Sequence, residues 1–104
     1  EGRIFFERIT MNFGIDFDDT ITAEPLIISK FISDLQQGGH KVFCVTARND
    51  NEENRKDVET YLRLYGIDIL TIYCSHKPKQ KVVNNRGIKI DIWMDNDPIS
   101  IVEV

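Results

Sequence analysis

The sequence predicts an α/β fold built on a parallel sheet, and three observations carry that reading. Short apolar runs alternate along the chain with segments whose apolar residues recur at helical spacing. The runs are continuous, as in Val42-Phe43-Cys44-Val45, which suits strands buried on both faces. The polar clusters fall just after the runs, at the strand ends where such sheets bind ligands. A length of 104 residues sets one domain.

The first strand is expected over residues 12–17, running straight into Asp18, Asp19 and Thr20. After a turn, Pro25 fits the first position of a helix. Leu26, Ile27, Ile28, Phe31, Ile32 and Leu35 give that helix an apolar stripe, and Gly38-Gly39 ends it. A second strand follows over residues 41–46 and a loop over 48–51. The second helix covers 52–65, with acids in its first turn, Gly66 as its stop, and Val58, Tyr61, Leu62 and Tyr65 on its buried side. The third strand is 69–74, a short third helix spans 78–85 before Gly87, and the fourth strand is 90–94. Residues 99–104 suit either a short helix or a terminal strand. Strands separated by helices imply right-handed βαβ units.

The net charge of −4, with signs mixed along the chain, does not favour holding nucleic acid by bulk electrostatics. Lys77, Lys79 and Lys81 form a local basic patch. No apolar run reaches membrane-spanning length, so no membrane partner is expected. Cys44 and Cys74 sit in or beside core strands and read as small buried hydrophobes; with no signal peptide ahead of them, a reduced, cytoplasmic setting is expected. Met11 precedes the first strand, so residues 1–10 read as a leader or an extension and 11–104 as the domain. His40 and His76 read as surface residues and Trp93 as core.

The chemistry centres on the first strand end. Strand residues two apart face the same way, so Asp16 and Asp18 are expected to converge there. Paired carboxylates repel unless a cation or a shared proton neutralises them. The other strand ends add Thr46 and Arg48, then His76 and Lys77, then Asp95, Asn96 and Asp97. Phosphoryl transfer uses such parts: an ionised acid as nucleophile, a second acid as proton donor, a hydroxyl and a cationic side chain on the phosphoryl oxygens, and Mg²⁺ between carboxylates and phosphate.

Asp16-Phe17-Asp18-Asp19-Thr20 resembles motif I of the haloacid dehalogenase (HAD) superfamily of phosphohydrolases, Asp-x-Asp-x-Thr after an apolar strand. Val45-Thr46 is similar to motif II, Lys77-Pro78 to motif III and Met94-Asp95-Asn96-Asp97-Pro98 to motif IV, in the family's order. The resemblance implies a three-layer Rossmann-like sandwich with the first strand between the fourth and the second, and the third beyond the second. Only short connections follow the first and third strands, so no cap domain is expected and the site should be open. Asp16 would be the nucleophile and a metal ligand, and Asp18 the general acid/base with its backbone carbonyl on the metal. Thr46 and Lys77 would grip the phosphate, with Lys79 and Lys81 competing for the lysine's role. Arg48, in a Thr-Ala-Arg segment that recurs in the family, would contact phosphate or substrate. Asp95, with Asn96 or Asp97, would complete the Mg²⁺ shell.

The sequence departs from the family pattern at Asp19, where glycine is frequent, and at Asn96, where an acid is the usual ligand. An amide oxygen ligates more weakly than a carboxylate, so either Asp95 takes the role or metal affinity falls. The implied activity is a Mg²⁺-dependent phosphatase for a phosphomonoester, nucleotide-type slightly favoured, with a homo-oligomer or loops helping to exclude water. The competing expectation is a weak or inactive domain that binds a phosphorylated ligand or a protein. A phosphoacceptor receiver fits poorly, because its acid would end the third strand, and that strand ends in Tyr73-Cys74-Ser75.

Overall fold

The computed structural model describes residues 9–103. Strands β1 (Asn12–Ile15), β2 (Lys41–Thr46), β3 (Leu70–Tyr73) and β4 (Ile92–Met94) alternate with helices α1 (Pro25–Gln37), α2 (Glu52–Leu64) and α3 (Lys79–Asn85), and α4 (Ile99–Val102) closes the chain. The strands form one four-stranded sheet in the order β3-β2-β1-β4, every pairing parallel. The register sets Ile15 opposite Cys44 and Met94, and Thr46 opposite Tyr73, so the strands share one carboxyl edge. The fold is α/β and compatible with a Rossmann-like arrangement.

Side-chain alternation along β2 feeds two separate cores. Val42 and Cys44 join Phe13, Ile15, Ile32, Val58 and Leu62, drawing on α1 and α2. Val45 joins Ile72, Cys74 and Val83, with Phe43 and Trp93 packed against them. Ile15, Val45 and Val58 are wholly buried, and each such side chain contributes roughly 1.5–3 kcal/mol of hydrophobic stabilisation. The side chains of Ile90 and Trp93 lie close over Gly14: a Cβ there would be 3.1 Å from Ile90 Cγ2 and from the Trp93 ring. Gly66 sits at φ +67 after α2, where its N–H donates to the Arg63 carbonyl (3.1 Å) and that of Ile67 to Leu62 (2.8 Å).

Several boundaries differ from the sequence reading by one or two residues, within the normal fraying of element ends. Two differences reach the site. β1 stops at Ile15 instead of running on to residue 17, and α3 starts at Lys79 with Pro78 ahead of it. The open choice for the C-terminal segment resolves as the short helix α4; Val104 lies outside the described residues. The leader expected over residues 1–10 falls mostly on residues 1–8, which also lie outside them. His40 is half-buried instead of a plain surface residue. Its Nδ1 accepts from the Met11 N–H at 3.0 Å and its ring meets Phe13 edge-on, so it ties the α1–β2 turn to the start of β1. Both cysteines are free and buried. Among the described residues no helix is long and apolar enough to cross a membrane.

Candidate active site

Asp16 follows β1 directly. Its backbone is still extended (φ −68, ψ 152) and its N–H donates to the Met94 carbonyl of β4 at 2.9 Å. The chain then folds over itself through residues Phe17–Ile21. The Ile21 N–H reaches the Asp16 carbonyl (3.3 Å) and the Thr22 N–H the Phe17 carbonyl (3.1 Å), with Asp19 at φ 60. Asp19 is exposed and its N–H donates to Thr22 Oγ1 at 2.9 Å. Buried Phe17 and Ile21 anchor this turn in the core, which fixes where the acids between them project.

Lys79 opens α3 with its side chain only 2 % exposed. Its Nζ donates to Asp16 Oδ1 at 2.8 Å and to Asp95 Oδ2 at 2.6 Å. The other Asp95 oxygen accepts from the Asp97 N–H at 2.8 Å. Burial works against the Lys79 charge, but the hydrogen bonds to Asp16 and Asp95 outweigh it and raise the lysine's pKa. Burial likewise pushes the Asp16 carboxyl above its ordinary value, with Lys79 pulling the other way. Two buried carboxylates thus share one ammonium, which leaves a site of net negative charge that favours a further cation or proton.

Asp18 is held by a different cation from Asp16. Alternation stops with β1 at Ile15, and the turn sends the second acid to a different cation. Arg48 holds Asp18 bidentately, Nε to Oδ2 at 2.9 Å and Nη2 to Oδ1 at 2.8 Å. The guanidinium lies 5.3 Å from the Phe17 ring centroid and its Nη1 is 3.4 Å from Asn54 Oδ1 at the start of α2. Thr46, wholly buried at the end of β2, accepts the Arg48 N–H on its Oγ1 at 3.3 Å. The turns after β2 and β3 are bound together: the Ser75 N–H donates to the Arg48 carbonyl (3.1 Å) and the His76 N–H to Ala47 (2.9 Å).

Asn96 sits on the far side of Asp16 from Lys79. The end of its amide is 2.8 Å from Asp16 Oδ2 and 3.3 Å from the Asp18 carbonyl oxygen, and only the nitrogen in that place can donate to both. Thr20 Oγ1 lies 3.4 Å from Asp16 Oδ2 and from the same amide end. Among the described residues no three His, Cys, Asp or Glu side chains gather closely enough to hold a metal. The donors that do gather are one carboxylate oxygen, one backbone carbonyl, one amide and one hydroxyl, hard ligands of the kind Mg²⁺ takes.

Of the residues expected at the site, Asp16, Asp18, Thr46, Arg48, Asp95 and Asn96 all stand at this edge. Lys77 does not meet Asp16. It is exposed beside His76, also exposed, in a turn where Ser75 and His76 take φ 51 and 61. α3 starts at Lys79, one residue later than expected, with that side chain turned inward, and Lys81 is exposed. Asp95, expected in the metal shell, is turned to Lys79, while Asn96 takes the place beside Asp16. Asn54 and Thr20 were missed as partners of the site. The sequence signal for Thr20 is its place at the end of the acidic run that follows β1; Asn54 has none. A cleft of about 300 Å³ between His76, Lys77, Asp97 and Ile99 opens next to Ala47, one residue past Thr46. Comparison with known proteins gave no match to a family model, a curated protein or a solved structure.

Proposed function

We propose that the chain is a Mg²⁺-dependent phosphatase of the HAD type, a capless three-layer sandwich that hydrolyses a phosphomonoester through an aspartyl-phosphate. One observation carries the reading: a buried lysine bridges Asp16 and Asp95 across the carboxyl edge of a parallel sheet. Leaving one ammonium between two buried carboxylates is a poor way to gain stability, and it suits a nucleophile that must be fixed and screened.

In this reading Asp16 attacks phosphorus, forming an O–P bond as the ester oxygen departs with a proton from Asp18. The Asp18 carboxylate then takes a proton from water, whose oxygen attacks phosphorus, and phosphate leaves with Asp16 restored. Lys79 takes the place expected of Lys77 and holds Asp16 Oδ1 in one orientation. Thr46 and Arg48 grip the phosphoryl oxygens. A phosphate dianion offers the guanidinium a better bidentate partner than Asp18, so substrate binding frees the acid it needs. Asp16 Oδ2, the Asp18 carbonyl and the Asn96 amide oxygen would hold Mg²⁺, which would supply charge neutralisation on the phosphoryl group. The cleft at His76 and Lys77 would take the rest of the substrate, with a nucleotide-type phosphate slightly favoured.

The test is Mg²⁺-dependent phosphate release from an aryl phosphate by the unmodified protein and by Asp16→Asn. The expected result is turnover that requires the metal and disappears in the variant. A second reading, a weak or inactive domain that binds a phosphorylated ligand or a protein partner, draws on the neutral Asn96 and on an Asp18 whose two oxygens are both taken. Folded protein without turnover, yet still binding phosphate, would favour it.

A further inference from the structure

The amide of Asn96 lies where an acid would make a knot of oxygens. Its end faces Asp16 Oδ2 at 2.8 Å and the Asp18 carbonyl at 3.3 Å, both acceptors. An oxygen in that place needs a cation between it and them; a nitrogen needs none. The spacing also suits a cation, because ligands about 2.1 Å from Mg²⁺ on neighbouring octahedral positions lie about 3 Å apart. One residue can therefore serve two states, since an amide presents a donor on one side and an acceptor on the other.

We infer that Asn96 is a built-in substitute for the cation. In the metal-free protein its Nδ2 donates to Asp16 Oδ2 and to the Asp18 carbonyl; when Mg²⁺ enters, the amide turns over and presents Oδ1. The inference rests on the cation site proposed above. An aspartate at 96 would lose this option. It would bring another negative charge towards Asp16 and Asp95, which have Lys79 alone between them, and the fold would come to need the metal. The native chain thus exchanges metal affinity for independence of metal: Mg²⁺ must displace two hydrogen bonds before it binds.

The experiment compares thermal unfolding of the whole chain, Asn96→Asp and Asn96→Ala, in chelator and across a MgCl₂ titration. The native protein is expected to unfold at nearly the same temperature in both conditions. Asn96→Asp is expected to fall by about 5 °C or more in chelator, to recover with Mg²⁺, and to bind Mg²⁺ about tenfold tighter as ligand charge rises. Asn96→Ala, which loses the hydrogen bonds without adding charge, should fall less and show no recovery. In the native protein the Asn96 side-chain NH₂ resonance, assigned by its loss in Asn96→Ala, should move during the titration. An Asn96→Asp variant as stable as the native chain in chelator, or not rescued by Mg²⁺, overturns the inference, as does an NH₂ signal that Mg²⁺ leaves in place. Turnover lost in Asp16→Asn is read separately, so the phosphatase reading can survive that result.

Discussion

Two acids two residues apart at the end of β1 live in opposite electrostatic settings. Asp16 and its partners Lys79 and Asp95 have side chains 9 %, 2 % and 2 % exposed, while Asp18 and Arg48 are 49 % and 29 % exposed. Water and salt screen the second pair and hardly reach the first group. The difference separates two tasks that the same residue types can perform. The buried group fixes one geometry, because every departure leaves a charge unpaired. The exposed pair can exchange partners at little cost, which suits the proton-donor and phosphate-binding roles proposed for Asp18 and Arg48.

Removing the central cation should break the buried side of this contrast most severely. Lys79→Ala leaves Asp16 and Asp95 facing each other without a counter-charge, and a loss of about 3–5 kcal/mol in urea unfolding is expected. Lys79→Met, which keeps the buried stem, should be nearly as destabilised if charge and not packing sets the cost. The exposed side should respond differently. Arg48→Ala is expected to lose less than about 1 kcal/mol of stability, yet to weaken phosphate binding about tenfold or more, read by calorimetry with inorganic phosphate. A large stability loss there would erase the contrast.

The smallest effect concerns the core beneath. Burial pushes the Cys44 thiol from an ordinary 9.0 up to about 12 and that of Cys74 to about 11. The fold therefore holds both as neutral thiols, and this contribution is complete below the ordinary value and lost as pH rises through the raised ones. At pH 8 a chromogenic disulfide should leave both unmodified in the native protein and titrate both after denaturation.

Much of this architecture could be read from the chain. Continuous apolar runs gave the parallel strands, glycines marked the helix ends, and polar residues after each strand marked the edge that Asp16, Thr46, Arg48 and Asn96 share. What escaped depended on single-residue register or on distant contacts. Lys77 lies exposed in the turn before Pro78 while Lys79 opens α3 and is buried, a distinction of two residues that the pattern could not make. Alternation placed Asp16 and Asp18 on one side but could not foresee their different partners, because β1 ends at Ile15 and Arg48 and Lys79 arrive from distant elements. His40 looked like a surface residue because its acceptor role exists only once the start of β1 lies alongside the turn before β2.

The close approach of Gly14 to the Trp93 ring has a use of its own. Trp93 is the chain's one tryptophan. It sits in the strand that leads to Asp95 and Asn96, against the strand that leads to Asp16. An indole in that seam senses separation of the two strands through its emission colour. The fluorophore that reports the loosening of the carboxyl edge is thus already in the sequence, and no dye need be attached to watch it.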